Sequence, residues 1–291
     1  MTASIFENYH NGGTCTVSYI MVVVLGVIQG VAEFLPISSS GHLTLFQHFF
    51  GMSEPDNLFN ILLHFATLIA VCVYYWRDIW EMILEFFRFF GDLFSRTPSR
   101  GEPPAARRQI LLLIVATLPL FLVLPIKDKV LGLSNNMLFI GGALIVTGFL
   151  LFASDRVKKG RKNERTASLL DAVAVGVSQA VATVPGISRS GMTITSGCFV
   201  GFDRKFAVRF SFLLSIPAVL GANILSLKDA VEAGADWSQV PVYLIGVATA
   251  AVSGYLCIGL LRRIANKGKF GAFAYYCWAV GLLTIVVQLI K

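Results

Sequence analysis

Apolar residues run along this chain in long blocks separated by short connectors that are polar and mostly basic, and two of the blocks contain a polar break. Residues 17–35 carry a helical pattern, Pro36 and Gly41 interrupt it, and the apolar stretch 42–50 that follows is about half the length of a spanning helix. A helix, a polar kink and a half-length helix describe a re-entrant hairpin. Its irregular backbone survives at bilayer depth only where protein or a water-filled cavity covers it. Residues 58–76 read as a full span. Residues 77–94 mix Asp78, Glu81, Glu85, Arg88 and Asp92 with Trp80 and several Phe, the pattern of an amphipathic helix lying in the interface. A Pro- and Arg-rich loop is expected over 95–108. Spans follow over 109–126, which Pro119 and Pro125 kink or end early, and over 137–153, joined by a turn at 127–136. After a basic connector at 155–165 the plan repeats: 170–184, a break at 185–191 and 192–200 form a second hairpin, and spans cover 210–227, 242–261 and 271–290. The fold class expected is an all-α polytopic membrane protein, one membrane domain over 1–291 with six full transmembrane helices and two re-entrant helix-loop-helix hairpins.

The two hairpins resemble each other. Shifted by 150 residues, Gly176 to Gly191 lies over Gly26 to Gly41 without a gap, and Gly, Val, Gln, Ala, Ile and Ser positions coincide. This is the mark of duplication, with repeats at about 17–153 and 170–290. Each repeat holds one hairpin and three crossings, and an odd number of crossings makes the repeat inverted. Charge supports the same topology. With the connector 155–165 in the cytoplasm, 19 of the 24 Lys and Arg fall in cytoplasmic loops and 4 on the opposite side, the remaining one being Arg189 inside the second hairpin. Hairpin one then enters from outside, hairpin two from the cytoplasm, their tips meet near the midplane, and both termini lie outside.

Composition agrees: 55% hydrophobic and 14% charged residues, against about 25% charged in soluble domains, mark an integral membrane protein. The net charge of +7 sits in short loops between spans, so it speaks for lipid contact and topology and not for nucleic acid. Cys15, Cys72, Cys198, Cys257 and Cys277 show no CxxC or CxxH spacing and read as small buried hydrophobes. The first fifteen residues are polar without a basic leader, which speaks against a cleaved signal peptide. No clear GxxxG dimer signal stands out, although Gly-rich spans permit close packing, and a homo-oligomer is left open.

Candidate chemistry gathers at the two breaks. A carboxylate such as Glu33 costs about 2.5–3.5 kcal/mol at the bilayer centre, so it should face a cavity or a cation, and Gln29 shares its helical face. Ser38, Ser39 and Ser40 precede a helix start whose free amides and positive dipole end suit a phosphate. His42 suits a general base or nucleophile. In the second tip Arg189, flanked by Ser188 and Ser190 and followed by Thr193, needs an anion, either Glu33 or a substrate phosphate held in fork geometry. His48, His64 and Asp155 read as structural, with His64 the one lying inside a span.

Gln29-x-x-x-Glu33 followed by Phe34-Leu35-Pro36-Ile37-Ser38-Ser39-Ser40-Gly41-His42, together with Pro185-Gly186-Ile187-Ser188-Arg189-Ser190-Gly191-x-Thr193, resembles the undecaprenyl-diphosphate phosphatases of the bacitracin-resistance type. The resemblance runs over nearly the whole chain. It implies an enzyme of the bacterial plasma membrane that removes the terminal phosphate of the C55 isoprenyl diphosphate and returns the monophosphate carrier to cell-wall synthesis. It further implies Glu33, Ser39, His42 and Arg189 as catalytic residues, with Ser188, Ser190 and Thr193 lining the phosphate site and Gln29, Ser38 and Ser40 beside it. A divalent cation, Mg²⁺ or Ca²⁺, with Glu33 as a ligand, is implied in the same way, although Gln29 in the first slot leaves one charge fewer. The expected pocket opens outward and takes the polyprenyl diphosphate lipid as partner, with Ser39 as nucleophile, His42 as base or leaving-group acid, and Glu33 orienting His42 or contacting metal; a phosphohistidine or direct attack by water is left open by the sequence. The alternative from another class is a lipid-phosphate flippase or anion transporter, since inverted repeats with broken helices also build secondary transporters.

Overall fold

A computed structural model describes residues 19–49, 57–94, 104–232, 234, 237–267 and 270–290. Cys15, the amino-terminal segment and most of the loop expected at 95–108 lie outside these residues. Among the described residues every element is helical, apart from one isolated parallel bridge between Lys162 and Phe202.

Helix α1 (Tyr19–Phe34) ends two residues before Pro36, and α2 (Ser39–Phe49) starts at the serines, three residues earlier than the apolar pattern suggested. The reason is a cap: the Ser38 Oγ accepts from the Gly41 amide at 3.2 Å, so the polar triplet opens the helix instead of filling a loop. Five helices then separate this hairpin from the second: α3 (Asn57–Tyr74), α4 (Trp76–Phe94), α5 (Ala105–Thr117), a short α6 (Lys127–Leu131) and α7 (Met137–Ser154). The helix of α5 begins inside the expected loop, at Ala105, and stops at Thr117. From there the chain winds through 3-10 turns at Leu118–Leu122 and Leu124–Ile126, each with its proline in the first turn, because Pro119 and Pro125 have no amide to give an α-helix.

The second hairpin is built like the first, from α8 (Leu169–Val181) and α9 (Arg189–Phe199). Ser188 accepts from the Gly191 amide at 3.1 Å and starts α9 at Arg189, again three residues before the expected 192. Gly186, at φ +87°, makes the turn that precedes it, and a Cβ there would meet Ala143 Cβ at 2.8 Å. After α9 come α10 (Arg204–Glu232), with Pro217 inside it, α11 (Val240–Lys267) and α12 (Gly271–Ile290). Helices α10 and α11 outrun the apolar windows 210–227 and 242–261 at both ends, since helix continues into the polar flanks.

Five helical stretches among the described residues are long and apolar enough to cross a membrane, and a sixth is counted if α3 and α4, bent by 80° at Tyr75, are taken together. Their outward faces are apolar: Val252, Leu256 and Leu260 form one exposed stripe on α11, and Leu282, Leu283, Val286 and Leu289 another on α12. Polar groups lie inside, with Gln29, Glu33, Gln179, Ser188 and Thr193 all buried. Apolar outside and polar inside is the arrangement of a protein dissolved in lipid, and the chain is a multi-pass, all-α membrane protein. Helix α4 keeps Trp80, Ile83, Phe86 and Phe87 exposed while Glu85 and Asp92 take the Arg107 guanidinium of α5 at 2.7 Å, which suits a helix lying along the interface.

The packing is reciprocal. α1 packs against α11 while α8 packs against α5, and α3 faces α10 as α7 faces α12. The first two contacts are backbone-close: a Cβ on Gly26 would lie 2.5 Å from the Gly246 carbonyl, and one on Gly176 2.4 Å from that of Ala116. Gly26 and Gly30 form a GxxxG spacing, and both press on α11 inside the chain. Asp155 is structural in the same sense: its carboxylate accepts from the Phe270 and Gly271 amides at 2.9 and 2.6 Å and caps α12.

Candidate active site

Glu33 lies in the last turn of α1, 7% exposed, and four groups converge on it. Gln29, one turn earlier, donates to Oε2 at 3.1 Å, and the Ser39 hydroxyl donates to the same oxygen at 2.6 Å. Arg189 Nη2 pairs with Oε1 from across the molecule, and His64 Nε2 on α3 stands 3.9 Å from Oε2. The two tips therefore meet on one carboxylate. Ser39 and Arg189 are the first residues of their half-helices and stand 150 positions apart, so equivalent places in the two hairpins supply a hydroxyl in one and a guanidinium in the other. Further bonds lock the tips together: the Gly186 amide donates to Ser40 Oγ at 3.3 Å, and the Ser190 hydroxyl reaches the Leu35 carbonyl at 3.4 Å.

These groups form the floor of a cavity of about 460 Å³, a size usual for small-molecule sites. Glu33, Ser39, Ser40, His64, Gln179, Ser188, Arg189 and Ser190 line it. Its walls are apolar: Leu120, Phe121 and Leu124 from the broken segment after α5 on one side, Pro217, Val219 and Leu225 of α10 on the other. At the rim Lys127 and Asp229 pair at 2.9 Å. Two half-helices start at this space, each bringing the positive end of its dipole, and the guanidinium adds a full positive charge. The arrangement is an anion site with an oily approach, made for a charged headgroup carried on an apolar tail.

Four expected site residues do not reach the cavity wall. Gln29 stands behind Glu33, fully buried, and holds it. Ser38 takes φ +73° and turns its hydroxyl to the cap and to Ser40, 3.4 Å away. Thr193 bonds Ser211 of α10 at 2.5 Å and the Arg189 carbonyl at 2.9 Å. His42 is the larger correction. Its Nδ1 bonds the Ser38 carbonyl and its Nε2 the Tyr276 hydroxyl, both at 2.8 Å, with the two rings stacked. Glu33 thus does not orient His42, because one turn of helix from Ser39 carries the imidazole to the side facing α12. The histidine beside the carboxylate is His64, which sequence reasoning set aside as structural. Its one early signal was a position inside a span.

The family model for the bacitracin resistance protein BacA matches residues 22–283. The chain belongs to the BacA family. Individual relatives match over a similar length. A protein of Desulforapulum autotrophicum named undecaprenyl-diphosphatase is 42% identical over 267 residues, covering 91% of this chain and 96% of that one. Namesakes from Alkaliphilus metalliredigens and Halothermothrix orenii are 40% and 39% identical, covering 92% and 91% of this chain and 98% and 96% of their own. The resemblance implied a divalent cation, and its fit can be judged from the donors. Among the described residues no three His, Cys, Asp or Glu side chains group to hold a metal ion, and both oxygens of Glu33 are taken by Arg189, Ser39 and Gln29. The donors present among the described residues do not fit a resident metal ion.

Proposed function

We infer that this protein is a membrane-embedded phosphatase that hydrolyses undecaprenyl diphosphate to the monophosphate and inorganic phosphate, the activity that gives its family bacitracin resistance. One observation carries the reading: Ser39 and Arg189, from hairpins 150 residues apart, hold the two oxygens of the same buried carboxylate at the floor of one cavity. In the resting state Glu33 occupies the guanidinium. An entering diphosphate offers Arg189 a second, more highly charged partner, and the bidentate fork shifts to the phosphate. Released from Arg189, the carboxylate is free to accept the Ser39 proton.

The Ser39 oxygen then attacks the terminal phosphorus. A Ser39–phosphorus bond forms, the anhydride bond breaks, the proton passes to Glu33, and the lipid monophosphate leaves. Water hydrolyses the phosphoserine and returns the enzyme. Arg189 and the amides opening α2 and α9 stabilise the charge on the transferred group. His64 lies where it can exchange a proton with Glu33. His42 acts through the loop: by holding the Ser38 carbonyl in its left-handed turn it positions Ser39. The inverted-repeat reading is supported by the reciprocal pairing of α1 with α11 and α8 with α5. An outward-facing mouth is supported by the rim, where Lys127 and Asp229 belong to segments 127–136 and 228–239, which hold only two and one basic residues.

The purified protein in detergent, with no gradient across it, should release inorganic phosphate from a polyprenyl diphosphate. A carrier that only moves the lipid would release none. The divalent cation enters, on this reading, as the counter-ion of the diphosphate. Calorimetric titration of Mg²⁺ or Ca²⁺ into the substrate-free protein is then expected to show no saturable binding, and a tight stoichiometric site would overturn that assignment.

A further inference from the structure

We propose that Gln179 is a substrate-binding residue whose side-chain amide holds the diphosphate, a role that rests on the hydrolase reading above. Gln179 is 1% exposed and lines the cavity, yet among the described residues neither its Nε2 nor its Oε1 has a hydrogen-bond partner. Leaving both ends of a buried amide unbonded is costly, and such a group in a native fold points to a partner that arrives later.

The chain itself shows what that partner is. At the 150-residue offset Gln179 corresponds to Gln29, and Gln29 donates its Nε2 hydrogen to the carboxylate of Glu33 one turn ahead, at 3.1 Å. One turn ahead of Gln179 the corresponding residue is Thr183, whose hydroxyl is already donated to the Ala180 carbonyl at 2.7 Å. The second hairpin keeps the amide and lacks the anion. Thr183, Ser188, Arg189 and Ser190 line the same cavity as Gln179, whose amide atoms are closed over in the empty site, so a phosphate oxygen beside the guanidinium meets the amide once the side chain turns toward it. A phosphate oxygen thus does for Gln179 what the carboxylate does for Gln29. The Oε1 end then accepts from a protonated phosphate or from a water hydrating the headgroup.

Gln179→Met tests this because it keeps the length of the side chain and removes the amide. An unsatisfied amide contributes nothing to the empty fold, so the substrate-free variant should melt at or above the wild-type temperature. Its kcat/KM for polyprenyl diphosphate should fall about 10- to 100-fold, the range of a hydrogen bond to a charged group. The thermal shift that inorganic diphosphate gives the wild type should shrink or vanish. Gln179→Glu, of equal shape but negative, should raise KM further than Gln179→Met. A Gln179→Met protein with wild-type kcat/KM and wild-type diphosphate shift would overturn the proposal. So would one that melts lower and loses activity only in proportion to the fraction unfolded, for that is a structural residue. A wild-type protein that releases no phosphate would instead remove the hydrolase reading, a separate outcome visible in the same assay.

Discussion

Replacing Ser39 by alanine is expected to lower phosphate release from a polyprenyl diphosphate by about 10³-fold or more, the loss typical of removing a nucleophile while leaving the binding groups in place. The expectation follows from a short, directed bond. The hydroxyl donates at 2.6 Å to a carboxylate that is itself held from three other sides, so its proton has a defined destination. The stability cost should be slight, because Ser39 is partly exposed on the cavity wall and the cap of α2 is Ser38. The variant should therefore fold, bind substrate and fail at the chemical step. Phosphate-release kinetics together with a melting curve check this. A Ser39→Ala rate within about tenfold of wild type would mean that water attacks phosphorus directly and that Ser39 only steers Glu33.

The second large effect is at the ion pair. Arg189→Ala removes the guanidinium that stabilises the transferred phosphoryl group and is expected to cost about 10²- to 10³-fold in turnover. It also strands Glu33, 7% exposed, without its cation. Breaking a buried pair from one side costs about 3–5 kcal/mol, so the single variant should melt well below wild type. Combining Arg189→Met with Glu33→Gln replaces the pair by neutral groups of similar size. That double variant should recover most of the lost stability and none of the activity. Melting temperatures and phosphate release, measured on Arg189→Met, Glu33→Gln and the double variant, give the cycle. Recovery of turnover along with stability would show that the pair only holds the tips together.

The spans and the two breaks were legible in the order of residues. Lipid offers no partner for backbone, so a crossing must be a continuous apolar helix, and Pro36 and Pro185 mark where the first helix of each hairpin has stopped. Glu33 and Arg189 were legible for the same reason: charge at that depth has to be answered. Helix starts were read three residues late in both hairpins, because apolar periodicity marks the buried face and says nothing of a serine cap. The GxxxG spacing of Gly26 and Gly30 stands in the sequence, but its partner within the chain, α11, lies more than 200 residues on and is shown only by the fold.

Side-chain direction was not legible. His42 sits three residues from Ser39, and nearness in the chain suggested a shared site, but Ser38 takes a left-handed turn and the helix it caps sends the imidazole to Tyr276. His64 comes to the carboxylate from a helix with no sequence motif of its own. Thr193 matches the family pattern and still spends its hydroxyl on Ser211, since α10 packs against α9 on that side. Gln179 became visible only when its lack of a partner could be compared with the bond that Gln29 makes.

Residue order alone settled that the chain lives in lipid, where its apolar helices break, and which two charges need a partner, because the bilayer penalises every exposed backbone group and every unanswered charge in a way that composition reveals. Which hydroxyl, imidazole and amide stand beside those charges was decided by the tertiary structure. A reacting group is chosen by angle and by a distance of a few ångströms, and those depend on the phase of each helix after its break and on which distant helix packs against it.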